Sequence, residues 1–392
     1  MPVSTETPRF IIVDPETIRI SRDEEDGSRA KKRKRANEDD AAFSPFSRKG
    51  PETDGTQILI HDPTYYSEDP DADCYVRVEK ILFKVHRHCL LMSSYLRSRL
   101  SDKPTSGREP LELFGISVAE FRALLWARYA SDADVKDLPK TQDDMTRLLL
   151  LATATQTCDF HELHSWTMKT IYTAFTTRPT FTDACTSATL TRTVEVASRC
   201  KATDLLDAAA ARWSDRLRRK TIPAVPAILI ADTYNLRGLR GIAYYTYIQE
   251  ILDASPPQST MSAIHLQADP KLSNTQLIKL LSGYLSLVSL WERRRRTPTS
   301  LECSEGCSTE KHRTCARVWE ARWSAVASSR TVIEFGSSDV LGILLCMCER
   351  LDADPEVARS VAPACREAGL EALRQEICDI RGALPEHFVG CM

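Results

Sequence analysis

Cys303, Cys307, His312 and Cys315 fall in one short polar stretch, TPTSLECSEGCSTEKHRTC, spaced C-x3-C-x4-H-x2-C. Three thiols and one imidazole are the donor set that structural zinc takes in tetrahedral sites. Gly306 would ease the turn between the first two cysteines. A loop with so few apolar residues has little core of its own, and a bound ion would offset that lack. Four protein ligands leave no open position, so the chemistry implied is structural rather than catalytic. The spacing departs from the common C-x2-C knuckle. The competing reading makes Cys303 and Cys307 exposed loop thiols and Cys315 a packed helix residue. Structural zinc is the one cofactor that the pattern admits.

The other cysteines read differently. The chain has 13 cysteines among 392 residues, and its start, MPVSTETPRFIIVDPE, carries acids around a short apolar run. Without a secretory signal, that usage implies reduced thiols. Cys346 and Cys348 lie in the apolar run LGILLCMCERL, while Cys365 and Cys378 lie on separate helical patterns. All four are expected as core thiols, since free cysteine is among the most buried residue types. There is no C-x-x-C pair, Walker loop, G-x-S-x-G elbow, H-E-x-x-H or G-x-G-x-x-G, which argues against catalysis.

The elements that must position these residues follow from periodicity. Residues 1–54 are a charged tail of low hydrophobicity, expected to be disordered. Within it, Lys31, Lys32, Arg33, Lys34 and Arg35 form a basic block of the nuclear-import type, or else a solvated charge run. Gln57 to His61 is a short candidate strand. Tyr75 to Glu79 alternates in polarity, as does Phe83 to His86, with Glu79-Lys80 as the turn between two strands. After His88 the period becomes helical, with Cys89, Leu90, Tyr95, Leu96 and Leu100 on one face. Leu111 to Leu113 is a short strand, and Val118 to Tyr129 an amphipathic helix. Met145 to Gln156 is apolar on nearly all sides and belongs at a centre.

The stretch Asp73 to Leu100 resembles the opening of a BTB/POZ domain, of the type abundant in higher fungi. The family's Asp falls on Asp73, its F-x-A-H-R signature on Phe83-Lys84-Val85-His86-Arg87, and its apolar helix on Leu90 to Leu96. The signature core is then Phe83, Val85, His86, Leu90, Tyr95 and Leu96. Phe121, Leu124, Leu125 and Tyr129 match one face of a later family helix. The family has Gly where this chain has Glu79-Lys80. The resemblance implies an α+β domain over 56–177 with a small sheet and a helical cluster. It also implies homodimerisation, and a charged pocket near the dimer groove lined by Asp73 and Arg87. The alternative for that pair is an ion pair that fixes the fold.

Helical patterns continue to the end. Residues 178–253 read as a helical region, Asp253 to Asp269 as a linker, and 270–392 as a C-terminal helical region carrying the Cys/His loop. Thr193 to Arg218 reads as one helix, and a helix is expected to start near Cys315. Arg293 to Arg296 follow an apolar helix and suit a C-terminal charge cap. Leu277 to Leu290, the longest apolar run, is too short to span a bilayer. A net charge of -2 gives no overall pull towards nucleic acid or membrane. The function that the BTB/POZ resemblance implies is non-catalytic protein–protein interaction by a homodimer, a scaffold or regulator in the nucleus or cytoplasm. Two alternatives stay open: a substrate adaptor that binds a cullin-type ubiquitin ligase, and a zinc-containing nucleic-acid-binding regulator.

Overall fold

The computed structural model describes residues 60–101, 109–254, 268–303 and 306–389. The tail, the basic block Lys31 to Arg35 and most of the expected linker lie outside the described residues. Four strands form the one sheet among them: β1 (Ile60–Tyr66), β2 (Cys74–Val78), β3 (Ile81–Val85) and β4 (Leu111–Leu113), in the order β1-β3-β2-β4. β2 and β3 pair antiparallel from Cys74–Val85 to Val78–Ile81, and β4 runs parallel to β2. The hairpin turn falls at Glu79, which adopts φ 54°, a left-handed conformation that costs a non-glycine residue about 1 kcal/mol. This is the position where the resembled family has glycine.

Strand alternation sends Cys74, Val76, Val78, Phe83, Val85, Leu111 and Leu113 to one buried face. Two short helices, α1 (Arg87–Leu90) and α2 (Ser94–Ser101), add Leu90 and Leu96 to it. Helix α3 (Val118–Tyr129) packs there through Phe121, Leu124 and Leu125, with the Phe83 and Phe121 rings edge-on at 4.9 Å. Burying each of these side chains contributes about 1.5–3 kcal/mol. A capping box starts α3, in which Ser117 and Glu120 bond each other's backbone N–H.

Helices make up the rest. After α4 (Asp132–Val135) come α5 (Gln142–Thr157), α6 (His161–Thr177), α7 (Pro179–Asp183), α8 (Ser187–Arg199) and α9 (Thr203–Arg218). Helix α5 is central, as its pattern suggests, with eight buried residues from Met145 to Thr155. The single helix expected over Thr193 to Arg218 is two. Lys201, at φ 55°, breaks it between α8 and α9. Next come α10 (Val225–Thr233), α11 (Arg237–Ala254) and α12 (Asn274–Arg294), then α13 (Thr309–Ala327), α14 (Arg330–Ile333), α15 (Val340–Asp352), α16 (Pro355–Ser360) and α17 (Pro363–His387). Arg293 and Arg294 close the last turn of α12, where Arg294 pairs with Glu376 at 2.6 Å and Arg295 with Glu292 at 2.6 Å. The described residues belong to one compact unit. Among the described residues no helix is long and apolar enough to cross a membrane.

Candidate metal centre

The polar stretch is only partly a loop. Ser308 caps α13, its hydroxyl accepting from the Lys311 N–H at 3.4 Å, so His312 and Cys315 both lie on the first turns of a helix. Their i, i+3 spacing puts them on one face. Cys307 stands just before the cap. Gly306 precedes it at φ +85°, a left-handed turn that glycine makes without steric cost.

The return of the chain supplies the remaining residue. Ala362 caps α17, Pro363 opens it, and Cys365 sits in its first turn. The Cys307, Cys315 and Cys365 sulfurs all lie within 4.8 Å of one another, in an arrangement that could hold a metal ion. Cys315 and Cys365 are fully buried and Cys307 half-buried. The His312 Nδ1 is 3.6 Å from the Cys365 sulfur. The Ala362 backbone N–H donates to the Cys315 sulfur at 3.3 Å. Burial pushes the Cys307 thiol up to about 12, helped by the neighbouring Cys365 and Cys315, which oppose another negative charge. A cation among the three sulfurs would reverse that electrostatic logic.

The structure brings together two of the four residues anticipated from spacing, Cys307 and Cys315, and holds His312 beside Cys365 but outside the three-sulfur group. Cys303 is exposed, its thiol 3.5 Å from the Cys307 carbonyl oxygen and outside the sulfur cluster. Cys365, expected as an ordinary core thiol, takes its place. No sequence signal pointed to it, because its approach depends on how α17 packs against α13. Cys346 and Cys348 are half-buried, and Cys378 is exposed rather than packed in the core.

The charged pair nearer the N-terminus does not form the fold-fixing ion pair. Asp73 is exposed, and its carboxylate accepts the backbone N–H of Arg87 at 3.1 Å. The Arg87 guanidinium instead donates to the Leu100 carbonyl at 2.8 Å. The two side chains form no ion pair with each other. Asp73 satisfies an unpaired N–H at the start of α1, and Arg87 satisfies a carbonyl near the end of α2. Of the signature residues, Phe83, Val85, Leu90 and Leu96 are buried, but Tyr95 is 37% exposed. His86 is half-buried rather than core. Its backbone N–H donates to the Tyr129 hydroxyl at 3.1 Å and its Nδ1 lies 3.0 Å from the same oxygen. Burial raises the Tyr129 hydroxyl to about 12, so it stays protonated.

No family model, curated protein or solved structure matches the chain.

Proposed function

We propose that this chain is a non-catalytic protein–protein interaction protein that pairs with a second copy of itself through its N-terminal α+β unit. The observation that carries this reading is the element order after Asp73. A hairpin runs directly into two short helices, then a strand parallel to β2, then a helix bearing Phe121, Leu124 and Leu125, all around one core. That order suits the BTB-like opening that the sequence resembles. Outward apolar groups on the same unit support it: Met92 is 55% and Phe114 71% exposed. The Arg99 guanidinium lies over the Tyr95 ring at 5.8 Å and reaches the Glu112 carbonyl, linking α2 to the β4 edge beside Phe114. Two identical faces of this kind would meet isologously around a two-fold axis.

In this reading the chain serves as a scaffold or regulator in the nucleus or cytoplasm. Sedimentation velocity on the full chain tests the face directly. Replacing Met92 and Phe114 together by Lys should convert a dimer to a monomer without loss of helical signal. A variant that sediments with wild type refutes this surface.

A further inference from the structure

We infer that Cys307, His312, Cys315 and Cys365 form a complete Cys3His zinc site that fastens the start of α13 to the start of α17. Tetrahedral zinc, with bonds of about 2.3 Å to sulfur and 2.0–2.1 Å to nitrogen, sets its ligands roughly 3.8 Å apart for two sulfurs and roughly 3.5 Å for sulfur and nitrogen. The three sulfurs lie within 4.8 Å of one another, and the His312 nitrogen is 3.6 Å from the Cys365 sulfur. His312 stands outside the three-sulfur group, and a turn of its side chain would bring its imidazole to the ion as the fourth ligand. The set is soft, tetrahedral and redox-neutral in its demand, which favours zinc over magnesium or calcium.

The surroundings suit an anionic ligand cluster. His312 and Cys315 occupy the first turns of α13, and Cys365 the first turn of α17. Two helix N-termini therefore present their partial positive charge to the same place. The Ala362 N–H donates to the Cys315 sulfur, the kind of outer-shell bond that orients a metal-bound thiolate. With all four positions filled by side chains, no place remains for a reacting water. The role is structural: one ion joins the turn at Gly306, α13 and α17, which are separated by some fifty residues of sequence. The inference goes beyond the interaction reading and does not depend on it.

The test uses the full chain, purified with reductant and without added metal. Elemental analysis should find one zinc per chain in wild type and in Cys303→Ser, and a loss of zinc in Cys365→Ser and His312→Ala. Cys365 is buried, and its replacement is liable to disturb folding, so two measurements use wild type alone. Cobalt(II) exchanged into the protein should give the intense absorption of a tetrahedral thiolate site. Zinc should slow alkylation of Cys307, but not of Cys303, and a chelator should restore it. Hydrogen exchange after chelation should rise in α13, α16 and α17 and stay unchanged in β2, β3 and α3. Folded, metal-free wild type whose Cys307 alkylates equally with and without zinc would overturn the inference. So would an octahedral cobalt spectrum, a disulfide between two of the three clustered thiols, or zinc retained in Cys365→Ser and lost in Cys303→Ser. Dimerisation could fail with the zinc present, or survive without it, so the two readings fail separately.

Discussion

Replacing Asp354 tests how α13 is held against the segment that leads into α17. Asp354 is 6% exposed, and its two carboxylate oxygens do separate jobs. Oδ1 caps α16 by accepting from the Glu356 and Val357 N–H groups at 2.8 and 3.1 Å. Oδ2 accepts from the Arg322 Nε and Nη2 at 2.9 and 2.6 Å. Loss of the cap costs about 1 kcal/mol. The charged bonds to Arg322 would add about 1.5–3 kcal/mol if fully buried. Arg322 is 37% exposed and can rehydrate, so about 1–2 kcal/mol is the better figure for its share. Asp354→Ala should therefore destabilise by about 2–3 kcal/mol. Asp354→Asn keeps the capping oxygen and should cost about 1 kcal/mol. Urea unfolding should show lower midpoints with an unchanged slope.

Acidity offers a second readout of the same carboxylate. Burial alone would raise the Asp354 carboxyl, but donation from the Val357 N–H, Arg322 and the Glu356 N–H outweighs it and holds the group below its usual range. A folded pKa below the unfolded one contributes stability that is complete above about pH 4 and lost as pH falls through the folded value. The gap between wild type and Asp354→Asn should be constant at neutral pH and close in acid. An Asp354→Ala variant within about 0.5 kcal/mol of wild type, or a gap that ignores pH, would refute the reasoning.

Two further outcomes concern other parts of the chain. A Cβ on Gly283 would clash with the ring of Phe388, which is buried and stacks on Tyr244, so Gly283→Ala should destabilise by about 1–3 kcal/mol in urea unfolding. Phe388→Leu in the same chain should return part of that loss, and additive costs would show that the two residues do not meet. Replacing Lys31, Lys32, Arg33, Lys34 and Arg35 by Ala should move a fluorescent fusion towards the cytoplasm; an unchanged distribution would make the block a solvated charge run.

Local periodicity made the hairpin legible, because Val76, Val78, Phe83 and Val85 alternate with polar neighbours as a half-buried sheet requires. It also made α5 legible as central, since apolar residues surround it. It failed at Lys201, where a left-handed turn divides α8 from α9 without the glycine or proline that usually marks one. It placed the start of α13 too late. The polar run after Cys307 looked like loop, yet Ser308 is a good N-cap, and Glu310 suits a first turn. The thiol site was legible only where it is local. Cys307, His312 and Cys315 are near in sequence, whereas Cys365 arrives through tertiary packing, which spacing cannot show. Charge type was legible at Asp73 and Arg87, but not which atoms they would bond. Backbone groups at α1 and α2 took both side chains, and the ion pair did not form.

Light scattering of the full chain in reducing buffer at micromolar concentration tests the interaction reading most directly. The expected molar mass is twice that of the 44.1 kDa chain, steady across dilution within that range. A monodisperse 44.1 kDa species would contradict it.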